Sequence, residues 1–555
     1  MRNIRKSSMN LDASAQAGDT IQGWWCRDEA AAAFPALGEA LRRISAPLFL
    51  IREDGDFRAA TSGRAFLGTV PAAESAVPLA AYVMPVLPEH LGDPDFCAEL
   101  GIRYAYLGGS MAKGISSVKI ARELGRAGML GFFGAAGLPL SEVEAALDQL
   151  KNSPEAPLFG VNLIHSPQEP DLEEALVALY LKKGVTLIEA SAFLSLTLTL
   201  VRYRVHGIRR LPDGTVHAPN RIIAKVSREE LAASFFSPPP EKLLQELVAH
   251  GEITAAQALL AAEIPMAQYV TAEADSGGHT DNRPAIALFP TIQSLACRFE
   301  KKFGYRCRLK AGLAGGIATP ASAASAFAMG AAWIMTGSVN QACVESGTSA
   351  IVREMLTETR QADVTMAPAA DMFEMGVTVQ VLKRGTMFPM RAARLYDIYR
   401  SCAGLESIPA AERDKLEKTM FLAPLEDIWR DTRAYFLKRD PKQVERAERD
   451  PKHRMALVFR WYLGQAAHWA KDGNPARKMD YQVWAGPSMG AFNEWVADSF
   501  LAKAEQRAVV TVARNILYGA AVLGRAAMLR SQGVSLPAEA VQITPLQDAE
   551  LKEYF

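Results

Sequence analysis

Between residues 104 and 360, short apolar runs alternate with helix-like stretches, and this alternation restricts the fold more than any other property of the sequence. A strand followed by a helix, repeated along the chain, predicts a parallel sheet. Eight such units favour a closed (β/α)8 barrel, which usually takes about 250 residues. An open, doubly wound sheet is the alternative. The eight predicted strands are 104–107, 129–133, 158–163, 186–190, 222–226, 268–272, 308–311 and 333–335.

The predicted TIM barrel occupies only part of the 555 residues, so we predict an α/β protein with three regions. These are an N-terminal α+β region at 1–100, the barrel at 101–400 and a helical subdomain at 401–555. A strand-like run at 198–206 before a Pro-Asp-Gly turn predicts a hairpin inserted near 198–220. Tryptophans are concentrated in the last region, which indicates a packed subdomain rather than a linker: Trp429, Trp461, Trp469, Trp484 and Trp495.

Charge and composition exclude several classes of protein. Lysine plus arginine and aspartate plus glutamate both number 61, so the zero net charge favours neither nucleic acid nor an anionic membrane as a partner. We see no secretory signal and no apolar run of about 18 residues, so no membrane span is predicted. The six cysteines lack CxxC spacing, which is typical of reduced thiols in a cytoplasmic protein.

The sixth predicted strand leads into the segment Glu273-Ala-Asp-Ser-Gly-Gly-His-Thr-Asp281. Active sites of (β/α)8 barrels form where the strands end, so this segment is a candidate site. Ser276, Gly277 and Gly278 allow a flat or anionic ligand to approach the backbone. His279 offers a proton donor or base that titrates near neutral pH. A solvated histidine in an ordinary strand-to-helix turn is the alternative.

Glycine-rich turns follow the last two predicted strands and predict a phosphate site. They contain Gly315 and Gly316 after strand 7, and Gly337 and Ser338 after strand 8. Barrels commonly bind phosphate with the backbone N–H groups of these two loops. Glycines needed only for tight turns are the alternative.

Residues after the earlier strands predict the remainder of a cofactor site. Gly109, Ser110 and Met111 follow strand 1. Small residues after strands 1 and 2 allow a planar ring to lie flat, and they are Gly109, Ser110, Ala112, Gly134 and Ala135. Asn162 and Lys225, on strands 3 and 5, offer the polar contacts that tune a flavin's ring. Alternatively, Asn162 caps a loop, and Lys225 pairs with Glu189 on the neighbouring strand.

Other common catalytic motifs are missing from the sequence. We find no GxxxxGK[ST] loop, no GxGxxG after a strand and no GxSxG elbow. The eight histidines are scattered and there is no HExxH, so no metal site is predicted.

Several short runs carry a first resemblance: Tyr106-Leu-Gly-Gly-Ser-Met-Ala112, Ala127-Gly-Met-Leu-Gly-Phe-Phe-Gly134, Phe159-Gly-Val-Asn-Leu163, Glu273-Ala-Asp-Ser-Gly-Gly-His279, Gly315-Gly-Ile317 and Thr336-Gly-Ser338. Together they resemble the nitronate monooxygenase and FMN-dependent enoyl reductase superfamily. Four segments carry a closer match: Glu273-Ala-Asp-Ser-Gly-Gly-His-Thr-Asp-Asn-Arg-Pro284, Ala367-Pro-Ala-Ala-Asp-Met-Phe-Glu374, Phe459-Arg-Trp-Tyr-Leu-Gly464 and Asp480-Tyr-Gln-Val-Trp-Ala-Gly-Pro-Ser-Met-Gly-Ala-Phe-Asn493. Through them the chain from about residue 100 is similar to the PfaD family, the trans-acting enoyl reductases of polyunsaturated fatty acid and polyketide synthases.

The resemblance implies a non-covalent FMN, reduced by NADPH or NADH, that passes hydride to the β-carbon of a 2-enoyl thioester on an acyl carrier protein. It places His279 beside the flavin and the substrate carbonyl, where an N–H donor stabilises enolate charge. Asp275, Asp281 or Glu273 is then expected to orient the imidazole, although surface roles suit the two aspartates. The helical C-terminal region is expected either to cover the barrel mouth or to dock the carrier protein, and a homodimer is left open. A nitronate-oxidising flavoenzyme and a non-catalytic synthase partner are the alternatives.

Overall fold

The computed structural model describes residues 23–28, 34–53, 55–153, 157–167 and 169–555. The first 22 residues of the predicted N-terminal region lie outside this part. Among the described residues, no helix combines the length and apolar character that a membrane span requires. Nor do these residues bring together three or more His, Cys, Asp or Glu side chains as a metal site would need.

The eight predicted strands form one closed barrel in which every neighbouring pair is parallel. The (β/α)8 prediction is therefore confirmed, and the doubly wound alternative is wrong. We number the barrel strands 1 to 8 in chain order: Tyr106–Gly108, Leu130–Phe133, Phe159–Ile164, Leu187–Ser191, Arg221–Val226, Tyr269–Glu273, Lys310–Ala314 and Ile334–Thr336.

Each barrel strand is followed along the chain by a helix. The eight helices are Val118–Arg126, Leu140–Lys151, Pro170–Lys182, Leu198–Val205, Glu229–Phe236, Ala285–Phe303, Pro320–Ala328 and Ala350–Thr357. Glu241–Ala249 and Ala255–Ala261 are additional helices before strand 6, and Ser338–Gln341 is a single turn after strand 8.

The strand predicted at 198–206 is wrong, because this stretch is the helix Leu198–Val205. Thr197 caps the helix by accepting a hydrogen bond from the Leu200 N–H at 3.2 Å. Most of the side chains in the second half of this helix are buried, whether apolar or polar. The alternation of apolar and polar residues therefore does not mark one buried and one exposed face, as it would in a strand. The inserted hairpin itself is short and pairs Arg209–Arg210 with Val216–His217.

The N-terminal end of the barrel is closed by a packed helix, Pro94–Leu100, so the opposite end remains for a ligand. Phe96 of this helix stacks on Trp333 with ring centroids 4.3 Å apart. The nearly buried Lys310 ammonium lies 2.8 Å from the Asp93 carboxylate and 3.5 Å from that of Glu99. These contacts satisfy a charge that burial would otherwise make costly.

A helical region and a small sheet follow the barrel. The antiparallel sheet joins Gly278–His279, Thr378–Leu382 and Val364–Pro368, and the last two strands were not predicted. The α-helices are Phe388–Ser401, Ala410–Leu416, Leu425–Arg439, Pro441–Arg449, Pro451–Asp472 and Ser488–Val496. Shorter helices are Gln361–Asp363, Phe373–Met375, Leu405–Ser407, Glu417–Phe421, Pro475–Asp480, Phe500–Ala502 and Ala504–Gln506. A shared core of side chains such as Phe373, Phe421, Phe459 and Tyr462 holds this region together.

The chain divides into two compact units. The larger unit consists of residues 92–319 and 329–512, and it holds all eight barrel strands and the helical region just described. The smaller unit contains the described residues up to 91, together with 320–328 and 513–555. Its antiparallel sheet orders the strands as Asp56–Ala60, Leu48–Glu53, Val77–Val83, Gly23–Cys26 and Arg64–Leu67. Its other elements are the helices Leu37–Arg42, Pro88–His90, Pro320–Ala328, Ala538–Val541 and Asp548–Leu551, with most of Val509–Ser531.

Candidate active site

A cavity of about 330 Å³ opens where the barrel strands end, which is within the size range of small-molecule sites. Most residues that the sequence patterns assigned to a site line this one cavity. Gly134 and Ala135, expected under a planar ring, do not, and Gly134 packs instead against the Met111 backbone, where a Cβ would lie 1.8 Å from the carbonyl oxygen. The residues that line the cavity form one set. They come from strands 1, 3, 5, 6, 7 and 8 or from the loops after them: Gly109, Ser110, Met111, Asn162, Lys225, Glu273, Ser276, Gly277, Gly278, His279, Gly315, Gly316, Gly337 and Ser338. The structure thus brings the predicted set together, while the role of each residue stays a prediction.

The glycines after strands 7 and 8 leave backbone exposed to the cavity. Gly315 and Gly316 have φ angles of +80° and +76°, which favour glycine. A Cβ on Gly315 would lie 2.5 Å from the Ala274 backbone, so this turn requires glycine for close packing. A Cβ on Gly316 or Gly337 would meet nothing within 4 Å. Tight-turn sterics alone therefore do not explain Gly337, whose backbone faces open space in the cavity.

His279 is fixed at the cavity wall by backbone pairing and by one carboxylate. Its short strand pairs with Val379 and Gln380, and its Nε2 lies 3.2 Å from Asp371 Oδ1. Burial lowers the pKa of the imidazole, but the hydrogen bond and charge of Asp371 outweigh burial, and the pKa of His279 is raised above its usual value. The imidazole therefore keeps its proton to a higher pH than a solvated histidine does.

Asp371 is a site residue that the sequence patterns did not indicate. The three carboxylates that were expected to orient the imidazole bind other side chains. Asp281 binds Arg228 at 2.8 Å, and Asp275 accepts a hydrogen bond from Asn282 at 2.7 Å. Glu273 lies beside Lys225. The sequence feature that could have identified Asp371 is its position inside the family segment 367–374.

Lys225 is paired with two carboxylates. Its ammonium lies 3.2 Å from Glu189 and 3.2 Å from Glu273, on the two neighbouring strands. Burial lowers the pKa of Lys225, but the two anions outweigh it and the pKa is raised. Burial also raises the pKa of Glu273. The expected pairing with Glu189 is present, and Glu189 also accepts a hydrogen bond from the Ser110 N–H at 2.7 Å.

Asn162 occupies the cavity floor rather than capping a loop. Its side-chain amide donates to the Ser191 hydroxyl at 3.2 Å, and its own backbone carbonyl accepts from the Tyr180 hydroxyl at 2.7 Å. It is 4% exposed. The amide nitrogen also donates to the Glu189 carbonyl at 3.4 Å, so its two donated bonds orient the side chain, while the Tyr180 bond holds the backbone.

Lys113 is a second lining residue that the sequence patterns did not indicate. It has a φ of +58°, an uncommon conformation for lysine, and its ammonium donates to the Gly464 carbonyl at 3.0 Å. Burial, with the nearby Lys471 charge, lowers the pKa of Lys113 to about 8. Its bond to Gly464 ties the first barrel loop to the helix Pro451–Asp472.

The region after the barrel supplies one side of the cavity, which we call the roof. Its lining residues are Ala370, Asp371, Val379, Leu463, Gly464, Gln482, Trp484 and Ser488. Gly486, next to the roof, donates its N–H to the Ser338 hydroxyl at 3.1 Å. A Cβ on Gly277 would lie 2.8 Å from the Ala485 backbone, so the roof and the barrel loop pack closely. Of the two roles expected for this region, covering the barrel mouth is the one seen.

Part of the region that forms the roof matches a described family. Residues 402–481 match the family of the [Acyl-carrier-protein] S-malonyltransferase inserted helical domain. The match covers four of the α-helices after the barrel, Ala410–Leu416, Leu425–Arg439, Pro441–Arg449 and Pro451–Asp472. It also covers the short helices Leu405–Ser407, Glu417–Phe421 and Pro475–Asp480.

Longer matches relate the chain to synthase components. A polyunsaturated fatty acid synthase protein of Thraustochytrium sp. is 47% identical, over 81% of this chain and 31% of that protein. The polyketide biosynthesis protein PksE of Bacillus subtilis is 43% identical, over 78% of this chain and 56% of that protein. The chain thus spans about a third of the first relative and little more than half of the second.

A solved structure matches over nearly its whole length. The enoyl reductase domain of MlnA, from the macrolactin biosynthesis cluster of Bacillus amyloliquefaciens, is 39% identical with a TM-score of 0.75. The comparison covers 80% of this chain and 99% of that domain. Together with the synthase relatives, this match shows that the chain belongs to the PfaD-like family of enoyl reductases.

Proposed function

We propose that this protein is an FMN-dependent enoyl reductase that acts in trans on 2-enoyl thioesters carried by the acyl carrier domains of a polyunsaturated fatty acid or polyketide synthase. The observation that carries the proposal is the cavity itself, which is lined both by exposed glycine backbone and by a carboxylate-paired imidazole. The relatives are synthase components, and the matching solved domain is described as an enoyl reductase.

The lining residues fit FMN. Exposed backbone around Gly316 and Gly337, with the Ser338 hydroxyl, suits a phosphate, because backbone donors bind anions without a side chain in the way. Gly109 and Ser110 leave room for a planar ring, and Asn162 and Lys225 offer it polar contacts. The chemistry that FMN supplies when bound is hydride transfer from a reduced nicotinamide, NADPH or NADH, to an activated alkene.

His279 has a distinct task in such a reaction. Hydride addition at the β-carbon of an enoyl thioester builds negative charge on the thioester oxygen. A protonated imidazole stabilises that charge and is a proton source for the α-carbon. Because Asp371 holds Nε2, the Nδ1 atom is the one left to donate to the substrate.

The ion pairs that join Lys225, Glu189 and Glu273 have a positioning role in the proposed reaction. One ammonium between two carboxylates fixes three adjacent strand ends. Glu189 also holds the Ser110 N–H, so these charges set the shape of the loop under the proposed ring site. The carrier domain as partner is supported by the match of residues 402–481 to a helical domain from an acyl-carrier-protein transferase.

Mass spectrometry of a crotonyl group on a carrier domain tests the proposal. With FMN and NADPH, we expect conversion to butyryl, and in D₂O one deuterium at the α-carbon. The same sample with a nitroalkane and O₂ is the control for nitronate oxidation. Nitroalkane consumption without enoyl reduction would contradict the proposal, and so would a protein that is inert to both substrates.

The pH dependence of enoyl reduction tests the His279–Asp371 pair. Because Asp371 raises the pKa of His279, the protonated form persists above the ordinary value of about 6.5, and activity should decline as pH rises through the raised pKa. Asp371→Asn removes the anion, so the decline should move to lower pH. Steady-state kcat/KM measured across pH detects the shift.

Asp281→Asn is the matched control for this pH experiment. Its carboxylate binds Arg228 and the Ser227 hydroxyl rather than the imidazole, so the profile of the variant should follow that of the wild type. An Asp371→Asn profile that superimposes on the wild-type profile would refute the proposed coupling.

A further inference from the structure

The cavity has two halves of different chemistry. The glycine backbone and His279 lie over strands 6, 7 and 8. Across the barrel, over strands 3 and 4, apolar lining is supplied by Ile164, Leu172, Leu176 and Ala192, and we call this side the apolar half. The same side also carries polar lining residues, which are Asn162, Ser166, Glu169, Glu173 and Ser191. In the closed ring of strands, strand 3 lies opposite strand 7 and strand 4 lies opposite strand 8. The apolar half is therefore as far from the proposed phosphate site as the barrel mouth allows.

Two leucines of one helix form much of this apolar half. Leu172 and Leu176 are four residues apart on the helix Pro170–Lys182, so their side chains project from the same face. Both line the cavity. Ile164 ends strand 3, and Ala192 follows strand 4 with a φ of +58°. An L-residue seldom adopts this backbone, and such strain concentrates at ligand sites.

The acidic groups in this half already have polar partners. Glu173 is 2.9 Å from His165 Nδ1 and accepts a hydrogen bond from the Thr197 hydroxyl at 2.6 Å. Glu169 receives two hydrogen bonds from the Arg439 guanidinium, at 2.8 and 3.0 Å. Because both carboxylates are already engaged and would repel an anion, this side of the cavity suits an uncharged chain better than a nucleotide or a phosphate.

We infer that the apolar half over strands 3 and 4 receives the acyl chain of the substrate, and that Leu172 and Leu176 set the length of chain accepted. This inference rests on the proposed enoyl reductase function. An acyl chain whose thioester carbonyl lies beside His279 needs an apolar surface within reach, and the apolar half is the complementary surface within the same cavity.

Competition between a short and a long substrate tests the inference. For Leu172→Phe, we expect the ratio of kcat/KM for trans-2-dodecenoyl over crotonyl thioester to fall about tenfold or more, since small volume changes in apolar pockets discriminate by about 10- to 200-fold. Leu172→Ala enlarges the same space and should raise the ratio. If a substitution at Leu172 impairs folding, Leu176→Phe is a second variant that narrows the same space.

Binding without turnover gives an independent readout. Calorimetry with the saturated lauroyl and butyryl thioesters should show that Leu172→Phe weakens lauroyl binding and leaves butyryl binding near the wild-type value. Ala178→Phe adds the same ring to an exposed position of the helix, outside the cavity lining, and should change neither ratio nor binding.

The outcomes separate the inference from the function on which it rests. If the wild-type protein reduces neither substrate, the proposed function fails and the acyl site falls with it. If the wild-type protein reduces both but the leucine variants affect both equally, the function stands and the inference is overturned.

Discussion

Replacing Gly316 with aspartate should yield a folded protein that no longer retains FMN. A Cβ at this position meets nothing within 4 Å, so the new side chain enters the cavity without displacing its neighbours. Aspartate is among the few residues that tolerate the φ of +76° there. Its carboxylate would face the phosphate, and we expect the FMN dissociation constant to rise about a hundredfold, or about 3 kcal/mol.

The matched control for backbone strain is Gly251→Asp. Gly251 has a φ of +72°, a Cβ placed there would also meet nothing within 4 Å, and the residue does not line the cavity. The control variant should bind FMN as the wild type does. Fluorescence titration with FMN measures both variants, with thermal unfolding as a check on folding. An unchanged affinity of Gly316→Asp for FMN would contradict the proposal that the loop after strand 7 binds the phosphate.

Replacing His279 with alanine should leave FMN bound but abolish most enoyl reduction. The imidazole combines a raised pKa with a place on the cavity wall beside the glycine turn of strand 6. Loss of a positioned acid typically costs about 10²- to 10⁴-fold in rate, and we expect a fall of kcat in that range. The measurement is steady-state reduction of a crotonyl thioester by the flavin-loaded protein.

His250→Ala is the control for this substitution. His250 is exposed after the helix Glu241–Ala249 and does not line the cavity, so its removal should not change the rate. Turnover of His279→Ala at the wild-type rate would show that the imidazole has no part in the chemistry.

The barrel was predictable because its signals are local. Each strand is a short apolar run with a helix after it, and the eight observed strands differ from the predicted ones only at their ends. Barrel topology then fixes which residues meet, because all parallel strands end at the same rim. That is why fourteen positions spread from Gly109 to Ser338 could be expected to line one cavity, and they do.

Asp371 could not be assigned to His279 from local pattern. The two residues are 92 positions apart, and their contact depends on a sheet formed by three short strands. Such short strands carry little periodic signal, so this sheet was not predicted. The nearer carboxylates Asp275 and Asp281 have the structural roles that suited them in the sequence, because neighbouring polar groups bind them.

Two other differences have equally physical causes. The run 198–206 alternates apolar and polar residues as a strand does, yet the helix packs on more than one side and buries Arg204 as well. Arg204 is accommodated by donating to the Pro265 and Asn220 carbonyls. Glu273, the second carboxylate partner of Lys225, was not predicted as one, because the contact depends on the alignment of strands 5 and 6.

Anaerobic spectroscopy of the purified protein tests the central claim most directly. The protein is first loaded with FMN. NADPH or NADH should then bleach the visible absorbance of the flavin, and a crotonyl group on a carrier domain should restore it. A protein that takes up no FMN, or whose bleached flavin is restored by O₂ but not by the enoyl thioester, would contradict the proposed enoyl reductase function.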